Sequence, residues 1–109
     1  MIWRLFLRLF KPSGRLMAMH ALVVQRFPNT PWVYGGAWSW FSDRFRLLPD
    51  VVVYPYLPLV LIDKERITVD RLREVYEACG RYGVRCVDVG DGESRLMSVL
   101  DELEESAGG

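Results

Sequence analysis

Arginine and aromatic side chains alternate in two stretches of this sequence. Side chains alternate between the two faces of a strand. If both stretches are strands, each has one face of aromatic and basic residues, namely Arg4, Phe6, Arg8 and Phe10 in the first and Trp38, Trp40, Arg44 and Arg46 in the second. Aromatic rings stack on bases and guanidinium groups hold phosphates, so such faces are typical of RNA-binding surfaces.

The charge distribution divides the chain into a basic half and an acidic half. The 109 residues carry no net charge, but residues 1–49, which include Lys11, carry +6 and residues 50–109 carry −6. Ten of the 14 aromatic residues also lie in the basic half. A basic, aromatic half joined to an acidic half indicates binding to nucleic acid or to a partner of opposite charge.

Other residues that could carry chemistry are isolated. His20 lies among apolar residues of a predicted helix, which favours a structural role. Asp63, Asp88 and Asp91 follow predicted strands and could meet, but sequence does not show their proximity. The stretch CVDVGDGES (86–94) is similar to the glycine loop of methyltransferases that use S-adenosylmethionine, yet too few residues follow it for the doubly wound domain that such a loop needs. We therefore expect no catalytic residues, no metal and no cofactor.

Gly, Pro and helix-capping residues mark the boundaries of the helices and strands that position these side chains. They are predicted in chain order as a strand over 2–10, a helix over 16–27 capped by Ser13, a hairpin of strands 51–54 and 59–62, a helix over 68–82 capped by Thr68, a strand over 84–89, and a last helix capped by Ser94. The second helix has an apolar stripe of Val69, Leu72, Val75, Tyr76 and Cys79. Residues 37–47 are left open as strand, helix or arm.

This order predicts an α+β protein of the ferredoxin-like plan, β-α-β-β-α-β, in which an antiparallel sheet carries two helices on one face. The last helix is an addition to that plan. Residues 1–105 are expected to form a single domain and residues 106–109 a flexible tail. Read as a helix instead, residues 1–11 would be basic and amphipathic and could lie on a membrane surface.

In order, these features resemble one family, the ferredoxin-like protein subunits of archaeal and eukaryotic ribonuclease P (Pop-five and Rpp-fourteen). The similar segments are IWRLFLRLF, SGRLMAMHALVVQRF, GGAW, LVLIDKERITVDRLREVYEA and VDVGDGESR. In the family the last of these is a turn of the Ser-Gly-Thr-x-Arg type, which makes Arg95 a candidate for RNA contact. The chain departs from the family in its neutral net charge and acidic last helix.

The residues and the resemblance together lead us to expect a cytoplasmic, RNA-binding protein subunit of a ribonucleoprotein. The resemblance implies ribonuclease P, which matures the 5′ ends of precursor tRNAs, with a structured RNA and at least one other protein subunit as partners and no membrane. Whether the chain counts as an enzyme subunit is left open. The alternative is a protein-interaction module that docks through its aromatic half, with tryptophans as interface anchors. Cys79 and Cys86 show neither a disulfide framework nor zinc-ligand spacing. Whether these two cysteines form a single bridge, as in proteins of hyperthermophiles, is left open.

Overall fold

The computed structural model describes residues 13–34 and 51–108, in which a mixed β-sheet is packed between helices. In chain order the elements are α1 (Gly14–Arg26), β1 (Val33–Tyr34), β2 (Val51–Tyr54), β3 (Leu59–Ile62), α2 (Val69–Tyr82), β4 (Arg85–Asp88) and α3 (Glu93–Gly108). A short 3-10 turn follows β3 and another follows β4. The predicted α+β class is confirmed.

Side chains just before α1 and α2 explain where these helices begin. The hydroxyl of Ser13 accepts a hydrogen bond from the Leu16 amide at 3.1 Å, and that of Thr68 accepts one from the Arg71 amide at 3.4 Å. Each hydroxyl satisfies an amide that has no partner within its helix. α2 ends at Gly83, whose φ of 66° lies in the left-handed region that glycine adopts readily. Both predicted caps are confirmed.

The bounds of α3 differ from those predicted. The helix begins at Glu93, directly after Gly92, so Ser94 lies inside its first turn and is not the residue before it. The helix also continues to Gly108, although residues 106–109 were predicted as a loose tail.

The buried stripe of α2 is shifted from the predicted one. Val75 and Cys79 are buried as expected, and Ala78 joins them. Val69, however, is 72% exposed and Tyr76 is 46% exposed. Helical spacing placed these two residues at the margins of the apolar stripe, and the sheet covers only its centre.

The predicted hairpin of β2 and β3 is confirmed. These strands pair antiparallel, with Val51 opposite Ile62 and Tyr54 opposite Leu59, and residues 55–58 connect them. β1 pairs antiparallel with β2, and β4 pairs parallel with β3, which gives the order β1-β2-β3-β4 among the described strands.

This order differs from the predicted ferredoxin-like plan. In that plan the two strands joined by a helix are split by another strand, whereas β3 and β4, joined by α2, pair directly. Leu59 lies beside Arg85, and Ile62 lies beside Asp88. A strand from the start of the chain therefore has no place between them. The predicted strand over 2–10 and the undecided segment 37–47 lie outside the described residues.

Helices cover both faces of the sheet, so α1 and α2 do not share one face as predicted. One apolar cluster joins α1 and α3 to the face formed by Val52, Tyr54, Leu59, Leu61 and Val87. A second joins α2 to the opposite face, formed by Val51, Val53, Val60 and Ile62. The reason is that β2 and β3 are apolar at every position, so both of their faces need cover.

Candidate functional site

The structure describes one of the ten residues predicted to bind RNA. Arg95 lies exposed in the first turn of α3. The other nine lie outside the described residues: Arg4, Phe6, Arg8, Phe10, Lys11, Trp38, Trp40, Arg44 and Arg46. Because α3 begins just after β4, Arg95 follows the carboxyl end of β4 closely in the chain.

An aspartate lies at the carboxyl end of each of the parallel strands β3 and β4. Asp63 directly follows β3, and Asp88 is the last residue of β4, opposite Ile62. Both are only 3% exposed. In open α/β sheets this edge is where ligands bind, so the contacts of these carboxylates decide what the edge can do.

The Asp88 carboxylate organises the turns that follow both strands. One oxygen accepts a hydrogen bond from the Lys64 amide at 2.8 Å, and the other accepts one from the Gly90 amide at 2.9 Å. The Asp88 amide donates to the Asp91 carboxylate at 3.4 Å. The Lys64 ammonium lies 3.9 Å from the Asp88 carboxylate. Asp88 therefore satisfies backbone donors at two chain reversals, and this is a structural role.

Gly90 allows the Asp88 carboxylate to lie close to this turn. A Cβ atom at position 90 would lie 2.6 Å from the Asp88 carboxylate and 3.4 Å from the guanidinium of Arg15. Arg15, the second residue of α1, also pairs with Glu65 at 3.4 Å. The exposed cations Arg15 and Lys64 are thus interleaved with acidic side chains, and this edge is not a purely basic surface.

His20 is the third buried polar side chain among the described residues, and it lies on the buried side of α1. Its Nδ1 lies 2.6 Å from the hydroxyl of Tyr54, the last residue of β2. The Trp32 ring meets the imidazole edge to face, with centroids 4.2 Å apart. Burial lowers the pKa of His20 and raises that of Tyr54. Both groups are therefore held neutral at pH 7, in agreement with the structural role predicted for His20.

The three buried polar residues in the described part of the chain each have a hydrogen-bond partner, whereas the buried Nη1 atom of the partly exposed Arg71 has none. Asp63 accepts a hydrogen bond from the Glu65 amide at 3.3 Å, as Asp88 and His20 are held by theirs. Within residues 13–34 and 51–108, no group of three or more His, Cys, Asp or Glu side chains could hold a metal ion. In those ranges, too, no helix combines the length and apolar character that crossing a bilayer requires.

Tyr54 is the partner that sequence reasoning missed. Its hydroxyl ends an otherwise apolar strand, and a buried hydroxyl needs a hydrogen-bond partner. The single histidine of the chain, on an apolar helix, was the available signal.

Comparison of the chain with protein-family models, with curated proteins and with solved structures found no match.

Proposed function

We propose that this protein binds RNA as a non-catalytic subunit of a ribonucleoprotein. The observation that carries the proposal is the charge separation in the sequence, where residues 1–49 hold a net charge of +6 and ten of the 14 aromatic residues. Phosphate neutralisation and base stacking need these two residue types.

The three buried polar residues of the ranges 13–34 and 51–108 are hydrogen-bonded within the fold, and this supports a binding role over a catalytic one. Its buried carboxylates accept hydrogen bonds from backbone amides, and its histidine pairs with a tyrosine. These groups stabilise the fold, whereas cations such as Arg95 are exposed to solvent. RNA contact through the basic half, with the α/β body as a scaffold, is consistent with this arrangement.

Ribonuclease P is the most specific form of the proposal, with a structured RNA and another protein subunit as cytoplasmic partners. It rests on the sequence resemblance alone. The direct parallel pairing of β3 with β4 counts against it, because the family has the ferredoxin-like order. The broader RNA-binding proposal does not depend on that order.

The test measures the affinity of the full chain for a precursor tRNA and for an unrelated structured RNA at several salt concentrations. The variant Arg4→Glu with Arg8→Glu is compared with the matched variant Arg73→Glu with Arg81→Glu, which makes the same charge change at exposed positions of α2. We expect only the first to lose affinity, with the slope of log K against log salt less negative by about 1 per lost phosphate contact.

Equal losses in both variants would indicate attraction by net charge alone. Absence of RNA binding by the folded wild-type chain at low salt would refute the proposal. Preference for precursor tRNA would support the ribonuclease P form, and equal affinity for both RNAs would argue against it.

A protein-interaction module is the second candidate, because the described body exposes aromatic rings. Trp32 is 46% exposed and Tyr56 is 79% exposed, and aromatic side chains are enriched at protein interfaces. Purification of the native protein distinguishes the two functions. A protein partner without RNA, together with loss of exposure of Trp32, would favour this candidate.

A further inference from the structure

Cys79 and Cys86 lie on neighbouring elements although a turn separates them in sequence. Cys79 is in the last turns of α2, and Cys86 is the second residue of β4. The Val84 amide donates to the Cys79 carbonyl at 2.8 Å, and the chain reverses at Gly83, where α2 ends. Both side chains belong to the apolar cluster between α2 and the sheet, and both are free thiols.

The two side chains lie on the same face of the sheet. Cys86 pairs with Val60 of β3, and Val60, Cys79 and Cys86 belong to the same cluster under α2. A hydrogen bond from the Cys86 thiol to the sulfur of Cys79 shifts the pKa of both groups. Two thiolates alone are fewer than the four ligands of a structural zinc site, and no larger group of metal ligands exists among the described residues. The contact therefore suits thiol chemistry between the two sulfurs and does not suit metal binding.

The contact makes the two sulfurs chemically unequal. The hydrogen bond from Cys86 lowers the pKa of Cys79, whereas the same bond and burial raise the pKa of Cys86. Cys79 is 3% exposed, while Cys86 is partly exposed. The pair thus combines a sulfur with thiolate character and a second sulfur on a neighbouring, partly exposed residue.

We propose that Cys79 and Cys86 form a reversible dithiol–disulfide couple that joins α2 to β4. With a peroxide as oxidant, one thiolate attacks a peroxide oxygen, the O–O bond breaks, and a sulfenic acid forms as hydroxide leaves and takes up a proton to become water. The second thiolate then attacks the sulfenic sulfur, the S–S bond forms, and a second water leaves. Both sulfurs are oxidised and one peroxide is reduced to two waters.

The segment between the two cysteines contains two glycines, whose backbone angles are less restricted than those of other residues. Gly80 and Gly83 lie in this segment, and a Cβ added to either would meet no atom within 4 Å. The disulfide would fix the last turns of α2 to the strand beside β3. It would cross-link one face of the sheet without involving α1 or α3, which pack on the other face.

The test treats the folded full chain with hydrogen peroxide, alkylates the remaining thiols under denaturing conditions, and measures the intact mass and the non-reduced peptide map. We expect a monomer that has lost two hydrogen atoms, a peptide pair linked through Cys79 and Cys86, and full recovery of both thiols with dithiothreitol. The variants Cys79→Ala and Cys86→Ala should each lose the internal link, and circular dichroism checks that they fold.

Two results would overturn the proposal. One is a folded wild-type chain whose thiols are both still alkylated after the peroxide treatment. The other is oxidation that gives only sulfinic acid or intermolecular dimers. Both are read from the wild-type chain, so the test does not depend on the variants being stable. The same oxidation in the presence and absence of RNA should give the same link, because no RNA is needed to bring the sulfurs together.

Discussion

At the scale of single residues, the buried imidazole of His20 has the clearest consequences. It lies 2.6 Å from the Tyr54 hydroxyl in a layer otherwise filled by apolar side chains. Because charging the ring there means removing a cation from water, burial lowers its pKa from the ordinary value of 6.5. The folded state therefore favours the neutral ring, and the unfolded state binds a proton more readily.

Stability should consequently fall as the pH drops below about 6.5. The contribution of His20 is fully present above that value and is lost as the pH falls from it toward the lower folded-state pKa. Urea unfolding at pH values between about 8 and 5 measures the effect. His20→Gln, which does not titrate, should show a smaller decrease over this range. Equal pH profiles for the two chains would contradict the assignment, and no other side chain in the chain has an unperturbed pKa in that range.

The Tyr54 hydroxyl can be tested without changing the ring. Tyr54→Phe should lower the free energy of unfolding by about 1–3 kcal/mol, because it leaves a buried polar atom of His20 without its partner. Tyr56→Phe is the matched control, since Tyr56 is 79% exposed and should change stability by less than about 0.5 kcal/mol. Chemical denaturation of the three proteins in parallel gives both values.

At the scale of elements, two glycines near the end of α2 have opposite effects on the stability of the helix. Gly80 lies inside the helix, where glycine costs conformational entropy, and Gly83 ends it with a φ of 66°. Neither position would place a Cβ within 4 Å of another atom. The backbone conformation alone therefore distinguishes them.

Alanine at these two positions should have effects of opposite sign. Gly80→Ala should stabilise the protein by about 0.5–1 kcal/mol, and Gly83→Ala should destabilise it by about 1–2 kcal/mol because alanine is strained in the left-handed region. Thermal unfolding of both variants measures the difference. A Gly83→Ala protein as stable as wild type would show that α2 ends differently in solution.

Sequence reasoning was most successful where neighbouring residues determine the structure. The caps at Ser13 and Thr68 were predicted because each hydroxyl acts within three residues. The hairpin was predicted because prolines bound its connection. Tyr76 was misplaced because helical spacing shows which residues share a face, and not how much of that face a neighbour covers.

At the scale of the whole molecule, the sheet order and the cover on both faces were missed. A signal was present in VVVY and LVLI, since strands that are apolar at every position are typical of sheets buried on both sides. The ferredoxin-like prediction gave that signal less weight than the count of elements. Pairing between distant strands is decided by contacts that local patterns do not record, and the residues predicted to bind RNA lie largely outside the described ranges.

Substitutions on the two faces of β3 test this layered arrangement. Leu61 packs with α1 and α3, whereas Ile62 packs with α2, and both are fully buried. Leu61→Ala and Ile62→Ala should each cost about 2–5 kcal/mol, while Val69→Ala, at a position 72% exposed, should change stability by less than about 0.5 kcal/mol. If one β3 variant proved nearly neutral, that face of the sheet would be open.

The layered arrangement also has a consequence for synthesis on the ribosome. α1 is made early, but its apolar side packs against β3 and α3, which are made later. The segment from β2 to β4, by contrast, contains its own hairpin and crossover, so its contacts are close in sequence and can form quickly. The apolar side of α1 is thus covered only after these later elements have been made. Leu16, Met19 and Val23 are the residues that a chaperone would meet on the nascent chain.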